Sequence, residues 1–202
     1  MRKAWDAVVV GGGPAGSTAA SLLAAAGRSV LVVEREAFPR HHVGESLLPG
    51  LAPLFERLGV THRLERAGFF VKTGGSYIWG RSRRPWSIRF AELAERPGFM
   101  IDGRETWAWH VERARFDALL LDSARRRGAE VLQPASAVEV LSKGERVEGL
   151  RVRDGGGRER TLRARCWIDA SGQAGVFASH FGWRAYDEQL RHLAVYAYYE
   201  GA

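Results

Sequence analysis

Short, wholly apolar runs separated by glycine turns dominate the first forty residues. Ala7-Val8-Val9-Val10 is apolar at every position, as in a strand covered on both faces. Gly11-Gly12-Gly13-Pro14-Ala15-Gly16 follows, and then a small-residue stretch that predicts a helix over 17–26, stopped by Gly27. A second apolar strand, 30–33, ends on Glu34. Strand, tight glycine turn, helix, strand and acid together predict a parallel strand–helix–strand unit with a ligand site at its mouth.

Beyond it the pattern alternates between helical and strand-like spacing. A helix is expected over 47–58, confined or broken by Pro49 and Pro53. Residues 69–110 hold short strand-like pieces at 76–79 and 86–90. Residues 115–127 read as an amphipathic helix, with Phe116, Leu119, Leu120 and Ala124 at helical spacing and Gly128 behind it. A strand is expected at 129–132. A three-strand meander should follow over 137–141, 146–153 and 158–165, turning at Asp154-Gly155-Gly156-Gly157. Residues 166–170 predict another buried strand, ending in Ser171-Gly172, and 193–199 a last apolar one. The fold class expected is α/β: a Rossmann-like fold with a parallel sheet, a β-meander and the start of a second, β-rich substrate region. Residues 1–202 then form one nucleotide-binding domain with an insertion around 69–110 and a further β segment beginning near 185. An apolar strand at a chain end should pair with something, so the domain is expected to be incomplete at its C-terminus, the front part of a longer protein.

Composition narrows the function classes. With 202 residues, 46% apolar and 26% charged, the chain is globular in character, and no apolar run approaches the ~18 residues of a membrane span. The start is too short in apolar residues for a secretory signal, so no membrane association and a cytoplasmic location are expected. The single cysteine, Cys166, excludes an internal disulfide and is expected to be a buried, inert thiol. The net charge is +7, with three lysines (Lys3, Lys72, Lys143) against 27 arginines, densest at Arg81, Arg83, Arg84 and at Arg125, Arg126, Arg127. No stripe of aromatic residues accompanies them, so a solvated surface is expected instead of a nucleic-acid site. The six histidines show no metal-ligand spacing.

The glycine turn carries the chemistry. In Gly11-x-Gly13-x-x-Gly16, the first glycine permits the tight turn, the second lets backbone approach a pyrophosphate, and the third lets the helix sit close to the strand. The helix then offers free N–H groups and the positive end of its dipole to phosphates. Glu34 can accept hydrogen bonds from a ribose and would repel a 2′-phosphate, so FAD or NAD is expected, not NADP.

The match extends past the fingerprint. Gly11 to Gly16 with Glu34-Arg35-Glu36-Ala37-Phe38-Pro39-Arg40, then Val43-Gly44-Glu45-Ser46-Leu47-Leu48-Pro49, resembles the flavin-dependent halogenases of phenols and pyrroles, within the larger superfamily of FAD-dependent aromatic hydroxylases. Val111-Glu112-Arg113-Ala114-Arg115-Phe116-Asp117 is similar to the helix start that touches FAD in that fold, and Ile168-Asp169-Ala170-Ser171-Gly172 to its Asp-x-Ser-Gly strand end. The resemblance implies FAD contacts from Gly11, Gly13, Pro14, Ala15, Gly16, Glu34, Arg35, Arg40, Glu45, Ser46, Arg113 and Asp169. Several of these have plainer readings: Arg40 and Glu45 as loop charges, Ser46 as a helix cap, Arg113 as partner of Asp117 on its own helix.

Lys72, in Phe69-Phe70-Val71-Lys72-Thr73-Gly74-Gly75-Ser76-Tyr77-Ile78-Trp79-Gly80, matches the segment that carries the catalytic lysine of the halogenases. The resemblance implies that reduced FAD, oxygen and chloride yield hypochlorous acid, relayed through Lys72 to an electron-rich aromatic substrate, free or tethered to an acyl carrier protein. Lysine suits that task as a compact ammonium with three donors, or as a free amine once desolvated, which arginine cannot become. The resemblance also implies that reduced FAD comes from a separate flavin reductase; the lack of a second glycine fingerprint agrees with this, although single-component hydroxylases of the fold lack one too. The competing readings are an FAD-dependent aromatic monooxygenase, a geranylgeranyl-reductase-like oxidoreductase, and a catalytically inert nucleotide-binding subunit. Two marks of the family are missing: the Trp-x-Trp-x-Ile-Pro segment, for which Trp107-Ala108-Trp109 is no match, and the Gly-Asp pair at the ribityl chain. The 202 residues alone are therefore not expected to turn over.

Overall fold

The computed structural model describes residues 4–94, 107–190, 195–197 and 199. Strand β1 (Trp5–Val10) leads through the glycine turn into α1 (Pro14–Ala25) and β2 (Val30–Val33). A 3₁₀ turn (Pro49–Leu51), α2 (Ala52–Leu58) and α3 (Thr61–Arg66) come next. Short strands β3 (Phe70–Lys72), β4 (Gly74–Ile78) and β5 (Pro85–Arg89) precede α4 (Phe90–Ala94), β6 (Ala108–His110) and α5 (Arg113–Arg126). The chain continues with β7 (Glu130–Leu132), β8 (Ala135–Lys143), β9 (Arg146–Asp154), β10 (Glu159–Leu162), β11 (Ala164–Asp169) and the one-turn helix α6 (Val176–His180).

A parallel sheet in the order β11-β1-β2-β7 is the centre of the fold. Because side chains alternate along a strand, its apolar runs feed two cores. Val9, Val30 and Val32 pack with Ala20 of α1 and with Leu121 and Ala124 of α5. Val8, Val10, Leu31 and Val33 face the antiparallel meander β10-β9-β8 and pack on Val140, Leu150, Val152 and Leu162. Coverage on both faces explains why β1 and β2 carry no polar alternation. A third cluster gathers Phe55, Leu58, Leu64, Phe69, Trp109, Phe116 and Leu120 beneath α2, α3 and α5.

Several boundaries differ from expectation. Helix α1 begins at Pro14, whose fixed φ and missing N–H suit the first helical position. The helix expected over 47–58 starts late: Leu47 N–H donates to Trp109 O, and helical turns begin only at Pro49. The third meander strand is split, with β10 ending at Leu162 and the chain passing directly into β11 of the parallel sheet. Cys166 is exposed, not buried, because β11 is an edge strand of the described sheet. Near 185 the described residues form a 3₁₀ turn (Glu188–Leu190) and no strand. Of the last predicted strand, Val195, Tyr196, Ala197 and Tyr199 have no regular structure, and residues 193, 194 and 198 lie outside the described residues.

Candidate functional site

The glycine turn is built for close approach. Gly11 sits at φ +105, and a Cβ there would lie 2.2 Å from Ala170 O. A Cβ on Gly16 would lie 1.9 Å from Gly11 O, so only hydrogen lets α1 start against the strand. Gly13 is different: a Cβ would meet only Arg40 Nη2, at 3.5 Å, leaving the space above it open. Gly13 is the N-cap of α1, with no side-chain cap and no acid in the first turn, so the first-turn amides keep their capacity for an anion. Ser17 Oγ donates to Gly12 O at 2.7 Å and pins the turn from below.

The turn opens onto a cleft of about 500 Å³, bounded by Gly11, Gly13, Pro14 and Ala15 on one side and by Ser136 and the 170–174 loop on the other. Glu34 lines it and is 4% exposed. Its Oε2 accepts Gly12 N–H at 2.6 Å and its Oε1 accepts Glu36 N–H at 2.9 Å. Each oxygen keeps a lone pair for a ribose hydroxyl. Arg35 stands at the mouth, exposed, 3.3 Å from Glu36.

The deeper wall holds two arginines on one acid. Arg113 donates through Nε and Nη2 to the two oxygens of Asp117, at 2.7 and 2.9 Å, and through Nη1 to Val43 O and Gly44 O. Arg40 Nη2 lies 3.4 Å from Asp117 Oδ2, and its Nε and Nη1 are buried with no partner. Both arginines line the cleft. Arg113 and the turn residues Pro14 and Ala15 also border an apolar pocket of about 270 Å³ walled by Leu47, Leu51, Leu54, Phe55 and Phe116.

Lys72 and Ser46 meet on a separate small sheet. Antiparallel β3 and β6 set Lys72 opposite Ala108, and Ser46 bridges His110, so Lys72, Ala108, His110 and Ser46 share one face. Lys72 Nζ donates to Ser46 Oγ at 2.7 Å and to Leu47 O at 3.3 Å, and lies 5.2 Å from the centre of the Phe90 ring. Ser46 is thus the neighbour of the lysine, not a lining residue of the large cleft, and Glu45 contributes its carbonyl to β6 beside it.

Asp169 does not line the cleft; it shapes the rim. Oδ1 accepts Ser171 N–H and Oγ–H, and Oδ2 accepts the N–H groups of Phe177 and Ala178. Partial burial pushes its pKa up, but the Ser171 hydroxyl and the three amides outweigh burial and hold the carboxyl below its ordinary value. Ala170, Ser171 and Gly172, which it orders, do form the cleft wall.

Sequence reasoning gave Asp117 only a local role, although a carboxylate at an apolar face of an amphipathic helix is a signal of buried pairing. It also passed over the Gly12 amide and Phe90, which nothing in the linear pattern marks. Among the described residues no cluster of His, Cys, Asp or Glu could hold a metal ion, and no helix is long and apolar enough to cross a membrane.

Known proteins resemble this chain in sequence and in fold. Residues 6–101 and 100–201 match the family described as tryptophan halogenase. A tryptophan 2-halogenase of Chondromyces crocatus is 36% identical over 96% of this chain and 35% of its own length. A 1H-pyrrole-2-carbonyl-(peptidyl-carrier protein) chlorinase of Pseudomonas fluorescens is 34% identical over 97% of this chain and 45% of its own. Among solved structures, the myxobacterial chondrochloren halogenase CndH superposes with a TM-score of 0.75 at 43% identity, covering 85% of this chain and 38% of that one. The flavin-dependent halogenase CmlS gives 0.79 at 38% identity, covering 93% and 33%. The chain therefore spans between a third and a half of the length of these relatives. Matched along nearly its whole length, glycine cradle and lysine-bearing strand included, this chain belongs to the tryptophan halogenase family.

Proposed function

We propose that this chain is the FAD-holding part of a flavin-dependent halogenase, with Lys72 delivering active halogen to an electron-rich aromatic ring. The observation that carries the reading is the pairing of an open glycine cradle with a lysine fixed on the segment leaving it: Arg113 holds the Val43 and Gly44 carbonyls, and two residues later Ser46 accepts from Lys72 Nζ. The residues present fit FAD. The first-turn amides of α1 and the unpartnered nitrogens of Arg40 suit its diphosphate, and the remaining lone pairs of Glu34 suit the adenosine ribose. Gly11, Pro14, Ala15 and Gly16 shape the cradle, Arg35 and Glu45 flank it, and Asp169 orders the opposite rim. When bound and reduced, FAD would supply two of the four electrons that reduce oxygen, and chloride, oxidised to hypochlorous acid, the other two.

Lys72 acts on the product of that oxidation. Two of its three N–H donors are committed to Ser46 and Leu47, leaving one to hold the oxygen of hypochlorous acid. Loss of a proton turns the same nitrogen into a nucleophile toward chlorine, while Ser46 keeps it in place. We assign the supply of reduced FAD to a separate flavin reductase and the setting to the cytoplasm. A carrier-tethered aromatic acyl group is the second substrate reading, favoured by the exposed Arg81, Arg83 and Arg84 and by the carrier-protein substrate named for the Pseudomonas fluorescens relative.

The test has two arms. Titrating FAD into the purified chain should quench flavin fluorescence at micromolar concentrations. The full-length gene product, given FAD, a flavin reductase and chloride, should chlorinate a phenol or pyrrole. Hydroxylated product without halogenated product would replace this reading with a monooxygenase.

A further inference from the structure

Asp117 stands in the second turn of α5 with no exposed surface. A carboxylate is tolerated there only when paired and hydrogen-bonded. It is paired twice. The bidentate contact with Arg113, one turn away, would satisfy it alone. Arg40 is brought in from a distant loop; its side chain is 11% exposed, with the guanidinium over the Phe38 ring and beside Gly13. Two guanidinium groups against one carboxylate leave a surplus positive charge at the cleft wall. The two cations are not equivalent. Arg113 gives all three of its nitrogens to protein acceptors, whereas Arg40 holds Nε and Nη1 buried and unpartnered. Leaving such donors unmade is costly, and an anion in the cleft would remove that cost.

We propose that Asp117 is the positioning residue for diphosphate recognition: it anchors Arg40 beside Gly13, with two nitrogens, Nε and Nη1, in reserve for the anion, and fixes Arg113 on the 43–44 loop. Asp117 touches no ligand and acts through Arg40. The proposal rests on the cofactor reading above and adds the acid that sets the anion-binding arginine.

Calorimetric titration of the full 202-residue chain with ADP and with adenosine tests it, using wild type, Asp117→Asn, Arg40→Met and the double variant. Each single variant should weaken ADP about tenfold or more, as the loss of a hydrogen bond to a charged group implies. The double variant should bind ADP no worse than Arg40→Met alone, and adenosine should bind all four alike. A purely structural role would lower ADP and adenosine together, or make the two substitutions multiply, and either result overturns the proposal. Should Asp117→Asn fail to fold, Arg40→Met decides alone, because unchanged ADP affinity there is fatal to the idea. Wild type binding FAD but indifferent to both substitutions sinks the roles of Asp117 and Arg40 and leaves the cofactor reading standing on the glycine turn and Glu34. Wild type binding neither FAD nor ADP sinks the cofactor reading together with it.

Discussion

Lys72 Nζ reaches across β6 to Ser46 Oγ, 2.7 Å away, so the residue matched to a catalytic lysine is tethered to the loop that leaves the cofactor cleft. The contact depends on register: Lys72 and Ser46 lie on one face only because β3, β6 and the 45–47 segment are aligned as an antiparallel set. A slip of one residue would turn the lysine to the opposite side.

Replacing Lys72 by Ala or Arg in the full-length protein should abolish halogenated product while FAD affinity stays at the wild-type value, because Lys72 does not line the cleft. Arginine keeps the charge but cannot serve as an amine nucleophile. Ser46→Ala should lower the rate about tenfold through loss of one charge-assisted hydrogen bond, again without change in FAD affinity. Product chromatography paired with fluorescence titration checks both, and full activity of Lys72→Arg would disprove the nucleophile role.

The three motif glycines should separate in their effects. Gly16→Ala places a methyl 1.9 Å from Gly11 O, and Gly11→Ala adds a clash at Ala170 O to a left-handed φ. Each should destabilise the fold by about 1–3 kcal/mol, visible as a lower melting temperature. Gly13→Ala meets nothing closer than 3.5 Å, and its extended N-cap backbone accepts alanine. It should melt within about 1 kcal/mol of wild type, as substitutions away from packed features do, yet bind FAD more weakly because its methyl occupies the phosphate approach.

Much of this is legible in the sequence because the signals are local. The apolar runs at 7–10 and 30–33, the glycine spacing between them and the stop at Gly128 each determine structure through neighbours a few residues away. The parallel pairing of β1 with β2 follows from them. What is not legible depends on distant chain segments. The exposure of Cys166 is decided by β11 leaving the meander at Leu162 to join β1 at an edge, which hydropathy alone does not encode. Leu47 opens a stretch that looks helical by composition, yet its N–H is claimed by Trp109 of β6. The Ser46–Lys72 and Asp117–Arg40 contacts join residues on different elements, which no local pattern marks.

The Glu34 carboxylate is tied to the Gly12 and Glu36 amides at the cleft wall. The chain should therefore bind ADP but not its 2′-phosphorylated analogue, whose extra charge would meet a fixed, 4% exposed carboxylate. Glu34→Gln keeps the shape, surrenders the charge and one acceptor, and should weaken ADP about tenfold while narrowing the discrimination against the 2′-phosphate. Competition titration with the two nucleotides measures both effects, and equal affinity of wild type for the pair would remove Glu34 from the ribose site.

Asp169 predicts a pH dependence that reports on the rim. Its carboxyl is held below the ordinary 3.8, burial being outweighed by the Ser171 hydroxyl and by the amides of Ser171, Phe177 and Ala178. A group whose folded pKa lies below its unfolded one stabilises the fold at pH above the unfolded value, and that contribution fades as the pH falls through the folded value. Asp169→Ala removes an acceptor shared by the first amides of α6 and should cost about 1–2 kcal/mol near neutral pH, the range for lost helix caps. Acidification from about pH 6 to about pH 3 should shrink the gap between wild type and variant, since protonated Asp169 surrenders its advantage over the unfolded chain. Because Asp169 orders Ala170, Ser171 and Gly172 at the cleft wall, FAD affinity of the variant should fall even at temperatures where it stays folded. Urea midpoints across that pH range, paired with flavin titration at neutral pH, measure the two effects separately. A stability gap that widens on acidification would show that the Asp169 carboxylate is not the group that caps α6.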